Sequence, residues 1–187
     1  MTSDGAQPAD AAARAVLERI LADLGDDHEI IACDPALADT AAFCAAYGYS
    51  PEDSANTIVV VGKSVPARYA ACVVLAPNRL DVNRVVRDRL GARKASFASA
   101  DEARALTGMA IGGVTVFGLP PGLPIWIDAR VMARERIVLG GGSRSWKVLA
   151  PPAILLRLPG VEVVDGLATE RQPTIEPGPA AHGSAPV

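Results

Sequence analysis

Two adjacent apolar runs, TIVVV at residues 57–61 and YAACVVLA at residues 69–76, constrain the fold of this chain most strongly. Both are rich in β-branched residues, and the GKSVPAR segment between them holds Gly and Pro at positions typical of a turn. The two runs are therefore predicted to form a β-hairpin. Because a hairpin joins antiparallel strands, the sheet that contains it cannot be purely parallel.

Helical and extended segments alternate along the rest of the chain, but strands are not followed one-for-one by crossover helices. The predicted helices are AARAVLERILADLG, PALADTAAFCAAYG, DVNRVVRDRLG, SADEARALTG and PPAILLRL. Ser99, with Glu102 three residues on, is a predicted capping box, and Asp81 is a predicted N-cap. The further predicted strands are HEIIAC, GVTVFG, PIWID, RIVLG, WKVLA and VEVV. This order predicts an α+β fold with a mixed sheet flanked by helices. Glycines at the strand ends favour a curved, barrel-like sheet.

The length of 187 residues suits one domain with its own core. Residues 1–10 and 168–187 are predicted to be disordered, since the tail is rich in Pro, Ala and Gly and has little to bury. A single domain is predicted over residues 11–167. The chain shows neither a secretory signal nor an apolar stretch long enough to span a membrane, so a cytoplasmic protein is expected.

Three cysteines, Cys33, Cys44 and Cys72, are an odd number, and no two of them form a C-x-x-C pair. This pattern predicts free thiols in a reducing cytoplasm and argues against a disulfide framework or a zinc knuckle. No metal site is predicted.

Charge is distributed unevenly along the chain. Residues 1–54 hold 11 acids and 2 bases, whereas residues 63–94 hold 8 bases and 2 acids. This basic segment raises the hypothesis that the protein contacts nucleic acid there. A solvated helix face is the simpler interpretation of the same charges. The candidate contact residues are Arg79, Arg84, Arg87 and Lys94.

Two glycine-rich segments are candidate site elements. Gly112 and Gly113 open one predicted strand, and LGGGSR at residues 139–144 ends another. Glycine lets a ligand or a second backbone approach closely and leaves N–H groups free to donate to an anion or a carbonyl oxygen. Two tight turns between strands would give the same pattern, and the sequence leaves this alternative open.

The order of these segments resembles the YbaK/EbsC family, which is also the editing domain associated with bacterial prolyl-tRNA synthetases. The resemblance runs from CDPALADTAAFCAAYGYSPEDSANTIVVV through LDVNRVVRDRLGARKASFASADEARALTGMAIGGVTVFG to LPIWIDARV and RIVLGGGSRSWKVLAPPAILLRL. These pieces cover nearly the whole predicted domain. Their order and spacing carry the resemblance, because no single piece is decisive.

The resemblance implies an aminoacyl-tRNA deacylase, which hydrolyses the ester between a wrongly attached small amino acid and tRNA. It implies no metal and no organic cofactor, and it implies aminoacylated tRNA and a synthetase as partners. The catalytic positions it implies are Asn56, Gly112 and Gly113. The substrate-binding positions it implies are Thr57, Val114, Thr115, Asp128, Gly141, Gly142 and Ser143.

One departure from the family bears on activity. Family members have Lys-Thr where the strand begins, and this chain has Asn56-Thr57. Asn retains a donor and an acceptor but has no positive charge. Lys63 is not expected to replace the missing ammonium, since it lies about 23 Å along an extended strand and on the opposite face. A polar strand edge therefore remains an alternative role for Asn56. A binder of aminoacyl-tRNA or a nucleotide-like ligand, with impaired catalysis, remains an alternative function, as does a small-molecule sensor.

Overall fold

A computed structural model describes residues 8–25, 27–109 and 111–171. The helices are α1 (Pro8–Leu24), α2 (Thr40–Tyr47), α3 (Arg87–Arg89), α4 (Ala100–Thr107) and α5 (Ala129–Met132). The strands are β1 (Glu29–Ala32), β2 (Ala55–Gly62), β3 (Arg68–Leu75), β4 (Asn78–Leu80), β5 (Ala95–Phe97), β6 (Ile125–Asp128), β7 (Ile137–Gly140), β8 (Trp146–Ala150), β9 (Val161–Val164) and β10 (Ala168–Glu170). Short 3-10 turns occupy Pro35–Leu37, Pro51–Asp53 and Pro152–Arg157, and a π turn at Val82–Val86 leads into α3.

The largest sheet has five strands in the order β5-β2-β3-β6-β9. β2 and β3 form the predicted hairpin, in which Ala55 lies opposite Leu75 and Gly62 lies opposite Arg68. β6 runs parallel to β3, and β9 runs parallel to β6. The sheet is therefore mixed, and the predicted α+β class is confirmed.

Two smaller sheets complete the fold. One has the order β1-β8-β7, and the other pairs β10 with β4. A single bridge between Ser54 and Val138 joins the start of β2 to β7. The strands form three sheets, and within the described residues they do not close into a barrel.

β3 is buried on both of its faces. Ala71, Val73 and Leu75 face one core with α1, β6, β7 and β8. Ala70, Cys72 and Val74 face a second core beneath the helical segment at residues 82–90. Burial on both sides explains why the run in β3 is continuously apolar instead of alternating. A third cluster under α2 packs Phe43, Cys33, Cys44, Ala38 and Val138.

The predicted helix ends are set by local hydrogen bonds. Ser99 and Glu102 form a capping box at the start of α4, as predicted. The Asp81 carboxylate accepts from the Arg84 N–H and starts the segment that leads into α3. Gly48 ends α2 with φ +76°, a left-handed conformation that glycine adopts without a Cβ penalty.

The predicted strand GVTVFG at residues 113–118 is wrong. The segment forms turns, with φ +86° at both Gly112 and Gly118, and no strand among the described residues pairs with it. Val116 and Phe117 are nevertheless buried in the first core. The apolar pattern therefore reflected burial of a loop.

Ordered structure reaches slightly beyond the predicted domain of residues 11–167. α1 begins at Pro8, and β10 spans Ala168–Glu170. The other residues predicted to be disordered, 1–7 and 172–187, lie outside the described residues, so the domain limits stay a prediction. Within the part of the chain that the structure covers, no helix has the length and apolarity needed to cross a membrane.

Candidate functional site

An open cavity of about 390 Å³ lies where β2, the start of α2, β5 and the 111–114 loop meet. Its volume falls at the small end of the range for small-molecule sites, about 300–1,000 Å³. Both polar and apolar groups line it. The lining residues are Ala38, Asp39, Thr40, Ala55, Asn56, Thr57, Ile58, Val59, Phe97, Ala98, Ala103, Ile111, Gly112, Val114, Gly140 and Lys147.

The free edge of β2 forms one wall of this cavity. β5 pairs with β2 only at residues 60–62, whereas β3 pairs with the full length of β2 on the other side. No strand among the described residues pairs with the free edge at Asn56, Thr57 and Ile58. Backbone groups on an unpaired edge remain available to a ligand.

Asn56 lines the cavity and is half-buried. Its Oδ1 accepts a hydrogen bond from Thr40 Oγ1 at 2.8 Å. This bond fixes the orientation of the amide and leaves the two Nδ2 hydrogens to donate elsewhere. Thr57 also lines the cavity, and its hydroxyl oxygen has no hydrogen-bond partner within the described part of the chain. Asn56 therefore lies at a polar strand edge and in the cavity at once, because the free edge of β2 forms the cavity wall.

The two glycine-rich loops pack against each other through their backbones. Gly142 N–H donates to Gly113 C=O at 2.9 Å. A Cβ on Gly113 would lie 2.6 Å from the carbonyl oxygen of Ser143, and one on Gly140 would overlap the carbonyl oxygen of Val114. Glycine is needed here so that one backbone can approach another.

Only part of the predicted substrate-binding set lines the 390 Å³ cavity. Of this set, Thr57 and Val114 do so, as does Gly112 of the predicted catalytic positions, whereas Gly113 and Ser143 lie behind them in the packed loops. Three further members of the set line a separate cavity of about 310 Å³ beside α1; they are Thr115, Gly141 and Gly142.

The structure places Asp128 away from this cavity, in a fully buried network. The side chain is 0% exposed. Its Oδ2 accepts from the Ala168 N–H at 2.8 Å, and its Oδ1 accepts from the Arg130 N–H at 3.0 Å. Arg130 Nη1 contacts both carboxylate oxygens at 3.4 Å. Asp128 therefore caps α5 and holds β10, and its oxygens are occupied by the protein itself.

A second cavity of about 510 Å³ lies beside the first and shares Phe97 with it. Of the four predicted tRNA contacts, Arg79 lines this second cavity. Arg84 and Arg87 form ion pairs with Asp81 and Asp88, which offset part of their charge. Lys94 is exposed, and neither it nor Arg79 forms an ion pair with any residue that the structure describes. The other polar lining residues are Asp81, Asn83, Ser96 and Thr169.

The cysteines are free and buried, in agreement with the predicted free thiols. Burial raises the pKa of Cys33, and it raises the pKa of Cys72 to about 12. A raised pKa favours the protonated thiol, and the thiolate is the form that reacts as a nucleophile. Within the described ranges, no group of three His, Cys, Asp or Glu side chains could hold a metal.

Lys147 is a cavity residue that the sequence analysis missed. It lies on β8, is 7% exposed, and its Nζ donates to the Ala38 carbonyl at 2.6 Å. Burial lowers the pKa of Lys147, and the neighbouring Arg144 guanidinium acts in the same direction. A charged residue inside the apolar run WKVLA was the available signal. Its relation to Asn56 depends on how two separate sheets come together.

The sequence model of the aminoacyl-tRNA editing domain matches residues 34–158, more than half of the chain. The protein belongs to this family. The matched segment holds every lining residue of the 390 Å³ cavity, so the editing domain includes the whole candidate site.

Solved structures share the fold of this editing domain. One is described as a candidate trans-editing enzyme for prolyl tRNA synthetase; it has 24% identity and a TM-score of 0.72, with 86% of this chain and 98% of that chain covered. Another is the hypothetical protein APE2540; it has 23% identity and a TM-score of 0.72, with 80% and 97% covered. At these identities the likeness establishes the fold.

Proposed function

We propose that this editing domain is an aminoacyl-tRNA deacylase that hydrolyses the ester linking a small amino acid to the 3′ end of a mischarged tRNA. The observation that carries the proposal is the placement of Asn56 at the free edge of β2, in a cavity of small-molecule size. Membership of the editing family supports the reaction class.

In the proposed mechanism the aminoacyl group enters the 390 Å³ cavity and the ester lies along the free edge of β2. Thr40 fixes the Asn56 amide, whose Nδ2 hydrogens then orient the ester. Thr57, Gly112 and Val114 contact the aminoacyl end. Water adds to the carbonyl carbon, the bond to the ribose oxygen breaks, and that oxygen leaves as a hydroxyl. The products are the free amino acid and the tRNA with its ribose hydroxyl restored, so water is the only co-reactant that this hydrolysis needs.

The packed loops support the site from behind in this proposal. Gly113, Gly140, Gly142 and Ser143 hold the 111–114 loop against the end of β7. Because the loop lines the cavity through Gly112 and Val114, its position sets the depth of the site. We therefore assign these four residues a positioning role.

The second cavity is proposed to hold the nucleotides that precede the ester. Phe97 is 55% exposed and lies at the boundary between the two cavities. An exposed aromatic ring at such a place can stack on a nucleobase. Arg79 and Lys94, which have no ion-pair partner among the described residues, would meet the phosphates, with smaller contributions from Arg84 and Arg87.

Replacement of Phe97 by alanine is expected to raise KM for aminoacyl-tRNA by about 5–150-fold, because one base–aromatic stack contributes about 1–3 kcal/mol. Leu156→Ala is the matched control, since Leu156 is 54% exposed and lines neither cavity. Steady-state kinetics on one charged tRNA would measure both variants. Equal KM values for the two variants would rule out the stacking role.

The function is tested by ester hydrolysis on tRNA(Pro) and other tRNAs charged with Ala, Ser, Thr or Cys. The wild type is expected to release at least one of these amino acids. Asn56→Ala is expected to lower kcat on that substrate by about 10²-fold, the usual loss on removing an oriented donor. Turnover that Asn56→Ala leaves intact would contradict the role of Asn56.

The absence of the family's lysine at position 56 favours one alternative, a binder of aminoacyl-tRNA or a nucleotide-like ligand with impaired catalysis. No release across the panel, together with measurable tRNA binding, would support this alternative. Activity created by Asn56→Lys in an otherwise inactive protein would support it further.

The same proposal places the protein in the cytoplasm with charged tRNA as its substrate. An aminoacyl-tRNA synthetase is the proposed protein partner, in line with the family resemblance. The three free, buried thiols are compatible with a reducing compartment.

A further inference from the structure

Lys147 is a buried cation in the candidate site, and it lies on a different sheet from Asn56. Its Nζ lies 5.5 Å from the centre of the Phe43 ring and donates to the Ala38 carbonyl. No carboxylate of the described chain lies within ion-pair distance of this ammonium. An ammonium has three N–H donors, so the bond to Ala38 leaves donors available to a ligand.

Lys147 and Asn56 face the same space. Both line the 390 Å³ cavity, and both also line a recess of about 20 Å³ with Thr40, Phe43 and Gly140. Lys147 forms a hydrogen bond with the Ala38 carbonyl, and Asn56 forms one with the Thr40 hydroxyl, two residues further along the chain. Lys147 lies opposite Gly140 in the β7–β8 pair, and Gly140 lines both the cavity and the recess.

An ester hydrolase needs positive charge or donors where negative charge develops. When water adds to the carbonyl carbon, the carbonyl oxygen becomes an oxyanion, and a preorganised ammonium in a dry site stabilises it strongly. A buried ammonium without a counter-charge is costly by itself. An incoming oxyanion would therefore relieve this cost in the transition state.

We propose that Lys147 is the catalytic cation of this site and supplies, from β8, the positive charge that the resemblance assigns to the position of Asn56. This inference rests on the proposed deacylase function. The Lys147 ammonium donates to the carbonyl oxygen of the ester, while Asn56 orients the ester from the opposite wall. The substrate's own ammonium points away from Lys147, since like charges repel.

The charged and titratable groups around Lys147 are compatible with this role. They are Cys33 just after β1, Arg144 just before β8, Asp39 at the start of α2 and Cys44 within α2. Asp39 forms its ion pair with Arg144, at 3.5 Å. Because its pKa is lowered, Lys147 loses its proton at a lower pH than an ordinary lysine does. Turnover is therefore expected to fall with rising pH, and the fall is expected to begin below the pH at which an ordinary lysine loses its charge.

A purely structural role is the competing explanation, in which Lys147 only satisfies the Ala38 carbonyl. Lys147→Gln retains a neutral donor, whereas Lys147→Met retains the bulk without a donor. Lys63→Met is the control, since Lys63 is exposed and lies outside both cavities. The double variant Asn56→Lys with Lys147→Met moves the cation to the family's position.

Kinetics on the tRNA that the wild type deacylates are expected to show a kcat loss of about 10²–10³-fold for both Lys147 variants, with KM changed much less. Lys63→Met is expected to stay near the wild type. The double variant is expected to recover at least about tenfold in kcat over Lys147→Met, since it restores an ammonium worth 10²–10³-fold. If Lys147→Gln keeps the wild-type kcat, the inference is wrong while the deacylase function stands.

A readout that needs no turnover separates the two proposals. The probe is adenosine carrying alanine through a 3′ amide, which cannot be hydrolysed as an ester. Its addition is expected to shift the side-chain NMR signal of Lys147, which is assigned in the wild type through its bonds to the backbone signals of the same residue. A shift without turnover by the wild type would overturn the deacylase function and leave Lys147 as a binding residue only. No shift at saturating probe would overturn the proposed contact, whether or not a Lys147 variant folds.

Discussion

Gly113→Ala is expected to lower the free energy of unfolding by about 3 kcal/mol, at the upper end of the usual cost of overpacking. The added Cβ would lie 2.6 Å from the carbonyl oxygen of Ser143 and 2.7 Å from its Cα. These are backbone atoms, which cannot rotate away as a side chain can. The two loops must separate, and the hydrogen bond from Gly142 N–H to Gly113 C=O is lost with them.

Gly122→Ala is the control for this prediction. Gly122 has φ +82° and nothing within 4 Å of an added Cβ. Its replacement should therefore cost only the left-handed conformation, about 1–2 kcal/mol. Chemical denaturation measures both variants. A Gly113→Ala loss no larger than that of Gly122→Ala would contradict the close contact between the loops.

Gly113→Ala is also expected to lower the activity of the candidate site. Gly112 and Val114 flank Gly113 and line the 390 Å³ cavity, so separation of the loops moves one cavity wall. Turnover should therefore fall even at temperatures where Gly113→Ala remains folded. This would identify Gly113 as a positioning residue that acts through its neighbours.

Asp128→Ala is also expected to lower the free energy of unfolding by about 3 kcal/mol. At temperatures well below the melting temperature, its turnover is expected to stay near the wild-type value. The Ala168 N–H is buried, and leaving it without an acceptor costs about 1–3 kcal/mol. Loss of the cap on α5 adds about 1 kcal/mol. The contact with Arg130 is lost as well.

Asp81→Ala provides the matched comparison, because Asp81 caps its helical segment with a partly exposed carboxylate. It is expected to cost only about 1 kcal/mol, since water can replace the lost acceptor. Thermal and chemical denaturation, with kinetics at 25 °C, measure both. A fall in turnover for Asp128→Ala without a loss of stability would instead support the substrate contact that the family resemblance suggested.

Local patterns in the sequence predicted much of the fold correctly. The hairpin of β2 and β3 followed from two β-branched runs and a turn, and the α4 cap followed from Ser99 and Glu102. Both depend on residues close together in the chain, so their physics is contained in a short window. The segment at residues 113–118 was assigned wrongly because an apolar run indicates burial but does not identify a strand.

The candidate site was predictable in part. Asn56 was selected through its position at the start of an apolar strand and the family resemblance, and it lines the cavity. Asp128 was selected through the family resemblance, yet its carboxylate accepts from the Ala168 N–H, 40 residues away, and from Arg130. Such long-range partners have no signature in the local sequence.

By itself, the sequence determined the mixed α+β class, the hairpin, the helix caps and the family, because these follow from short-range periodicity, capping and motif order. The tertiary structure alone decided that Lys147 faces Asn56. The two side chains lie on β8 and β2, in different sheets, and approach each other only after the Ser54–Val138 bridge and the third core bring those sheets together. The burial that lowers the pKa of Lys147 arises from the same packing, so no local window of the sequence contains it.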